Sequence, residues 1–166
     1  MELQHAKLIQ AMVSYDRGDT MRIQHFMKVH DFAATIGRLE NLDEKTLFIL
    51  ETAAIVHDIG IHLSEKKYGS SDGKHQEQEG PAEAEKLLYE VGGYTQEQIE
   101  RVCWLIAHHH TYNNIIGKDY QILVEADFLV NIYEDHLNKT AVENVRYKIF
   151  KTSSGISLLN HIYALE

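Results

Sequence analysis

The dipeptide His-Asp occurs twice in this chain, at His30–Asp31 and at His57–Asp58. An imidazole beside a carboxylate is a ligand pair for a divalent cation, because each donor takes a metal once deprotonated. The dipeptide is not diagnostic by itself. With 11 histidines in 166 residues, about 0.6 such pairs arise by chance. Position separates the two. His57–Asp58 closes the apolar run "TAAIV" and precedes "IG", so it is expected at a helix end, where neighbouring side chains can converge on one ion. His30–Asp31 is expected mid-helix, turned away from the stripe Val29, Phe32 and Ile36, on a solvated face.

Other candidate ligands share the phase of buried helix faces. His25 precedes Val29, Phe32, Ile36 and Leu39 by 4, 7, 11 and 14 positions, which is helical spacing. His57 and Asp58 continue the inward face of Leu50 and Ala54. His109 falls on the stripe Ile99, Val102 and Ile106, and Asp127 lies between Leu123 and Val130 in the same way. Polar groups are costly to bury unless paired or metal-bound. Separate helices that each aim a histidine or an aspartate inward therefore predict a shared divalent cation.

The elements that must position these residues are helical almost throughout, with no convincing strand. A first helix is expected over about 2–17, ended by "RGD", and a second from Asp19 or Thr20 to about Glu40. A third, capped by Asp43, runs to His57–Asp58 with Gly60 as terminator. Residues 61–79 are expected to form a polar Gly- and Ser-containing loop, with Pro81 at the start of the next helix. Thr95 and Gln98 form a capping-box pattern ahead of "QEQIERVCWLIAHHH". Asn113, Asn114 and Gly117 mark a loop, "DYQILVEADFLVNIYEDHL" another helix, and 139–151 and 156–165 two more around "TSSG".

This ordered set resembles the HD superfamily of metal-dependent phosphohydrolases. The resemblance is carried by His25 in "RIQHFMKVHDFAATIG", His57 and Asp58 in "AAIVHDIG", and Asp127 in "ILVEADFLV", and it spans about residues 20–135. It implies an all-α fold, a compact multi-helix bundle with a metal site between its central helices. It also implies that His25, His57, Asp58 and Asp127 hold a first divalent metal. Many members hold a second metal through two further histidines. The segments "HQEQEGPAEAEKLL" and "IERVCWLIAHHHTY" look like those regions. They point to His109 with either His75 or Glu79, and to Asp58 as the bridge between ions. His108 and His110 then flank the ligand.

The resemblance further implies hydrolysis of a small phosphorylated molecule, such as a nucleotide, by a metal-activated water whose pKa falls towards about 7. His57 and Asp58 are the central catalytic pair. Lys66 is a candidate to neutralise phosphate oxygens, and Lys67, His110, Tyr112 and Asn113 are candidates for substrate contact. Iron, manganese, zinc, nickel and magnesium all suit a mixed His/Asp site, as one or two ions. Two other activities share the sequence pattern: a di-iron oxygenase of the same fold, and a non-catalytic nucleotide- or metal-binding regulatory module.

Composition narrows the partners. The formal net charge of −9 disfavours nucleic acid and anionic membrane. Cys103 is the only cysteine, which excludes an internal disulfide and thiolate zinc sites and suits a reducing cytoplasm. "MELQHAKLIQ" lacks the pattern of a signal peptide, and no run approaches the roughly 18 apolar residues of a membrane span. The chain is expected to be a single domain over 1–166. The helices at 1–17 and 139–165 flank the resemblance and are candidates to cover the core or to mediate a homodimer.

Overall fold

A computed structural model describes residues 2–165, among which nine α-helices and no strand are found. They are α1 (Leu3–Tyr15), α2 (Thr20–Leu39), α3 (Glu44–Val56), α4 (Ile61–Tyr68), α5 (Gly73–Val91), α6 (Gln96–Ile106), α7 (Lys118–Glu134), α8 (Lys139–Lys148) and α9 (Ser153–Ile162). The caps follow from sequence. Asp19 accepts from Arg22 N at 3.1 Å, Asp43 from Thr46 N at 3.0 Å, and Thr95 and Gln98 form a complete capping box.

The most apolar element, α3, lies at the centre. It packs against α1, α2, α6 and α7, and every residue from Ile49 to Val56 is buried. The stretch Glu44–Tyr68 contains an 18-residue window with a mean hydropathy of 1.4, long and apolar enough to cross a membrane. Of its most apolar window, 72% is buried within the bundle, which accounts for the apolarity. The expectation that nothing here approaches a membrane span therefore holds only for uninterrupted apolar runs.

Three sequence expectations are corrected. Residues 61–79 are not a loop: they form α4 and the first turns of α5, joined by a short link. Asp72 caps α5 by accepting from His75 N at 3.1 Å, so the helix begins well before Pro81, which lies inside it. Gly60 does not end a helix in a left-handed turn. Its φ of −73° is right-handed and leads straight into α4. What requires glycine there is close approach, since a Cβ would lie 2.7 Å from Gly80 N and 2.8 Å from Gln76 O on α5.

The third concerns α2. It packs against both α3 and α7, so it buries two adjacent rows rather than one stripe. His25, Val29, Ala33 and Ile36 are buried, and so are Phe26 and His30. His30 therefore does not lie on a solvated face, although Asp31 beside it is exposed. Leu39, expected inward, is 59% exposed at the end of the helix.

Candidate metal centre

The turn that follows α3 brings His57 and Asp58 beneath α2 and α7. His25 Nε2 lies 3.2 Å from His57 Nε2, 3.4 Å from Asp58 Oδ2 and 3.2 Å from Asp127 Oδ1. His57 Nε2 is 3.5 Å from each of the same two carboxylate oxygens. His109, carried by the turn after α6, places Nε2 3.3 Å from Asp58 Oδ1. Asp58 thus faces His25 and His57 with one oxygen and His109 with the other.

The outer nitrogen of each ring fixes its orientation. His57 Nδ1 donates to Ala54 O at 2.8 Å, His109 Nδ1 to Ile106 O at 2.7 Å, and His25 Nδ1 to Glu134 Oε2 at 2.8 Å. When these rings are neutral, every Nε2 therefore presents a lone pair to the centre. Two such nitrogens 3.2 Å apart have no proton to share, which is the arrangement a cation resolves. Asp127 is held in turn by Asn131 Nδ2 at 2.9 Å. This pattern, in which the far side of each ligand is itself hydrogen-bonded, is the usual support of a metal site. The donor set of imidazole and carboxylate suits a divalent ion.

Without a cation, protons carry the balancing charge. Burial opposes protonation of His25. The hydrogen bond to Asp127 and the charges of Asp58 and Asp127 outweigh burial and raise its pKa to about 9. His109 is raised in the same way, with burial again overcome by Asp58. Burial would push Asp58 and Asp127 up, but the surrounding imidazoles hold both carboxyls well below the ordinary range.

The centre opens into a cavity of about 610 Å³. Its wall includes His25, Asp58, Asp127, Gln76, His110 and Arg22, and Arg22 is the sole lysine or arginine lining it among the described residues. Gln76, on α5, accepts from His110 Nε2 at 2.9 Å and donates to Ser71 O at 2.6 Å. The far nitrogen of His110 is 3.3 Å from the Tyr112 hydroxyl. Burial first, and the neighbouring His109 second, lower the His110 pKa to about 4. Gly73 permits this packing, because a Cβ there would stand 2.7 Å from the His110 ring.

Several expected residues lie elsewhere. Glu79 accepts from Lys67 Nζ at 2.6 Å and from Tyr68 OH at 2.7 Å, so both its oxygens are engaged. His75 stacks on Tyr68 at 4.0 Å, with Nδ1 2.6 Å from Asp72 Oδ2. Neither joins the cluster. The donor groupings that include Asp58 are His25–His57–Asp58 and Asp58–His109–His110. Lys66 is exposed, Lys67 is tied to Glu79, and neither lysine lines the cavity. Tyr112 reaches the centre only through His110, Asn113 is exposed, and His108 stacks on Trp104 at 4.1 Å.

Sequence reasoning missed Arg22, Gln76, Asn131 and Glu134. Glu134 and Asn131 follow Asp127 by seven and four positions on one face of α7, a signal that was available. Gln76 had none, since its segment reads as a polar loop.

The family model described as HD domain matches residues 22–143, most of the chain and all of the centre. The HD domain belongs to a superfamily of metal-dependent hydrolases. No curated protein and no solved structure matches.

Proposed function

We propose, since this chain belongs to the HD domain family, that it hydrolyses a phosphate ester or anhydride of a small molecule such as a nucleotide. The observation that carries the reading is that His25 Nε2 and His57 Nε2 lie 3.2 Å apart and each lies 3.2–3.5 Å from Asp58 Oδ2 and from Asp127 Oδ1. These four residues are the proposed ligands of a divalent cation. When bound, that ion supplies Lewis acidity, making water a better nucleophile and a phosphoryl oxygen a better electrophile.

The protein's own groups do the rest. Glu134, Ala54 O and Ile106 O keep the imidazoles in the ligating tautomer. Asp58 offers its second oxygen to His109, so a second ion would share that carboxylate. His110 could join such an ion only by giving up its bond to Gln76 or to Tyr112. Arg22, on the cavity wall, is the proposed contact for phosphate oxygens, in place of Lys66 and Lys67. Its own partners are Asp19 at 2.8 Å and Glu65 at 2.6 Å, and an arriving phosphate would compete for the guanidinium. Gln76, also on the cavity wall, has one amide N–H beyond its bond to Ser71 O to offer the substrate.

The test is a panel of nucleotides, dinucleoside polyphosphates and sugar phosphates, scored for phosphate release with and without chelator. The reading predicts release from at least one compound, lost on chelation and restored by Mn²⁺, Fe²⁺ or Zn²⁺. It also predicts loss of both metal and turnover in His57→Ala and Asp58→Ala. Full turnover by Asp58→Ala, with normal metal content, contradicts the assignment.

A further inference from the structure

A second set of buried polar side chains lies apart from the cavity, where α1, α2 and α3 meet. His5, His30 and Glu51 come from these three helices in turn, and their exposures are 1%, 3% and 3%. Glu51 Oε2 is 3.0 Å from His30 Nε2 and 3.3 Å from His5 Nδ1. One donor atom from each residue falls within 4.8 Å of the other two.

The hydrogen bonding of His5 identifies the form it takes. Its Nε2 is 3.2 Å from both Phe48 O and Thr52 Oγ1. Thr52 gives its own hydroxyl proton to Phe48 O at 2.8 Å, so both oxygens turn lone pairs towards Nε2, which must carry the ring proton. In the neutral ring this leaves a bare lone pair at Nδ1. That nitrogen has no hydrogen-bond partner among the described residues, and it faces a carboxylate oxygen. A lone pair set against a buried carboxylate is unfavourable unless a cation, a proton or a metal ion, stands between them.

The geometry points to a second divalent-cation site, formed by His5 Nδ1, His30 Nε2 and Glu51 Oε2, that ties α1 to the α2–α3 pair. The contacts at Oε2 match the edge of a tetrahedron whose donors stand about 2.0–2.1 Å from zinc. The distal nitrogen of His5 is bonded to a backbone carbonyl, the support expected of a ligating imidazole. The other carboxylate oxygen lies 3.8 Å from Arg38 Nη2, which leaves Oε2 for the ion. Two imidazoles and one carboxylate select a borderline transition metal, zinc before magnesium or calcium. The role is structural, and it does not depend on the hydrolytic reading of the cavity.

The experiment uses the full chain with the cavity site disabled by Asp58→Asn and Asp127→Asn. Loaded with zinc, desalted and analysed for metal, this double variant is expected to hold about one ion per chain. Adding Glu51→Gln is expected to remove it. A folded double variant without zinc, or an unchanged zinc content after Glu51→Gln, overturns the site. A second variant keeps the test independent of folding losses. His5→Cys in the same background, loaded with Co²⁺, is expected to show thiolate-to-cobalt charge-transfer absorption in the near ultraviolet. Folded, cobalt-exposed protein lacking that band also overturns it.

Discussion

His25, His57 and His109 each direct Nδ1 outward, to Glu134, Ala54 O and Ile106 O, and Nε2 inward. Two of those acceptors are backbone carbonyls three residues upstream, so helix geometry alone holds His57 and His109. His25 depends on a side chain. Glu134→Gln is therefore expected to weaken metal binding about 10–100-fold while leaving the fold intact, as read by competition with a chelating dye. Protonation gives a second expectation at this scale. His25 has a pKa of about 9 in the metal-free protein, above its ordinary value, so its stabilising contribution is complete below about 6.5 and is lost as pH rises through about 9. Asp58 and Asp127 are shifted down, so theirs is present above about 4 and is lost in acid. The metal-free Tm should accordingly fall between pH 7 and pH 9.5, as read by calorimetry. A metal must displace the His25 proton, so over the same interval apparent metal affinity should rise about tenfold per pH unit until that proton is gone. The inward phase of His25, His109 and Asp127 was readable because each sits on a stripe of large apolar residues. The burial of His30 is not legible from a single stripe, because α2 buries two rows and the residues it meets, Glu51 and His5, come from other helices.

At the scale of elements, the centre depends on the abrupt passage from α3 to α4. The turn after Val56 holds His57 and Asp58, and Gly60 then lets α4 and α5 meet backbone to backbone. Gly60→Ala would force a methyl to 2.7 Å from Gly80 N, with no flexible side chain to yield. A loss of about 1–3 kcal/mol is expected in denaturant unfolding. Metal affinity is expected to weaken with it, because Gly60 lies in the turn that holds His57 and Asp58. The same passage explains why α4 and the start of α5 were not legible. Their buried positions are Ile61, Ser64, Gln76, Glu79 and Gly80, mostly polar or small, so there was no apolar period to detect. The helices α2, α3, α6 and α7 have strong caps or dense apolar faces, and their existence followed from pattern alone. Pro81 reads as a helix start because that is its commonest helical position; the Asp72 cap upstream overrides it.

For the molecule as a whole, a formal net charge of −9 surrounds a cavity whose wall carries Asp19, Asp58, Asp127, Glu134 and Asp135 against Arg22, the one lysine or arginine on it among the described residues. An anionic substrate approaches against this field. With metal saturating, raising ionic strength from low to physiological should increase kcat/KM for a phosphorylated substrate by about two- to tenfold, the opposite of ordinary electrostatic steering. Replacing Arg22 with Gln should raise KM, while Lys66→Ala should leave it unchanged. The HD domain match over residues 22–143 covers α2 to α7, the helices that supply and support the centre. The account stands most directly on where a divalent ion binds, which anomalous diffraction from crystals grown with Mn²⁺ measures. It predicts a strong peak bounded by His25 Nε2, His57 Nε2, Asp58 Oδ2 and Asp127 Oδ1. Metal-dependent phosphate release by protein whose crystals place manganese elsewhere, with these four side chains bonded only to one another, would contradict it.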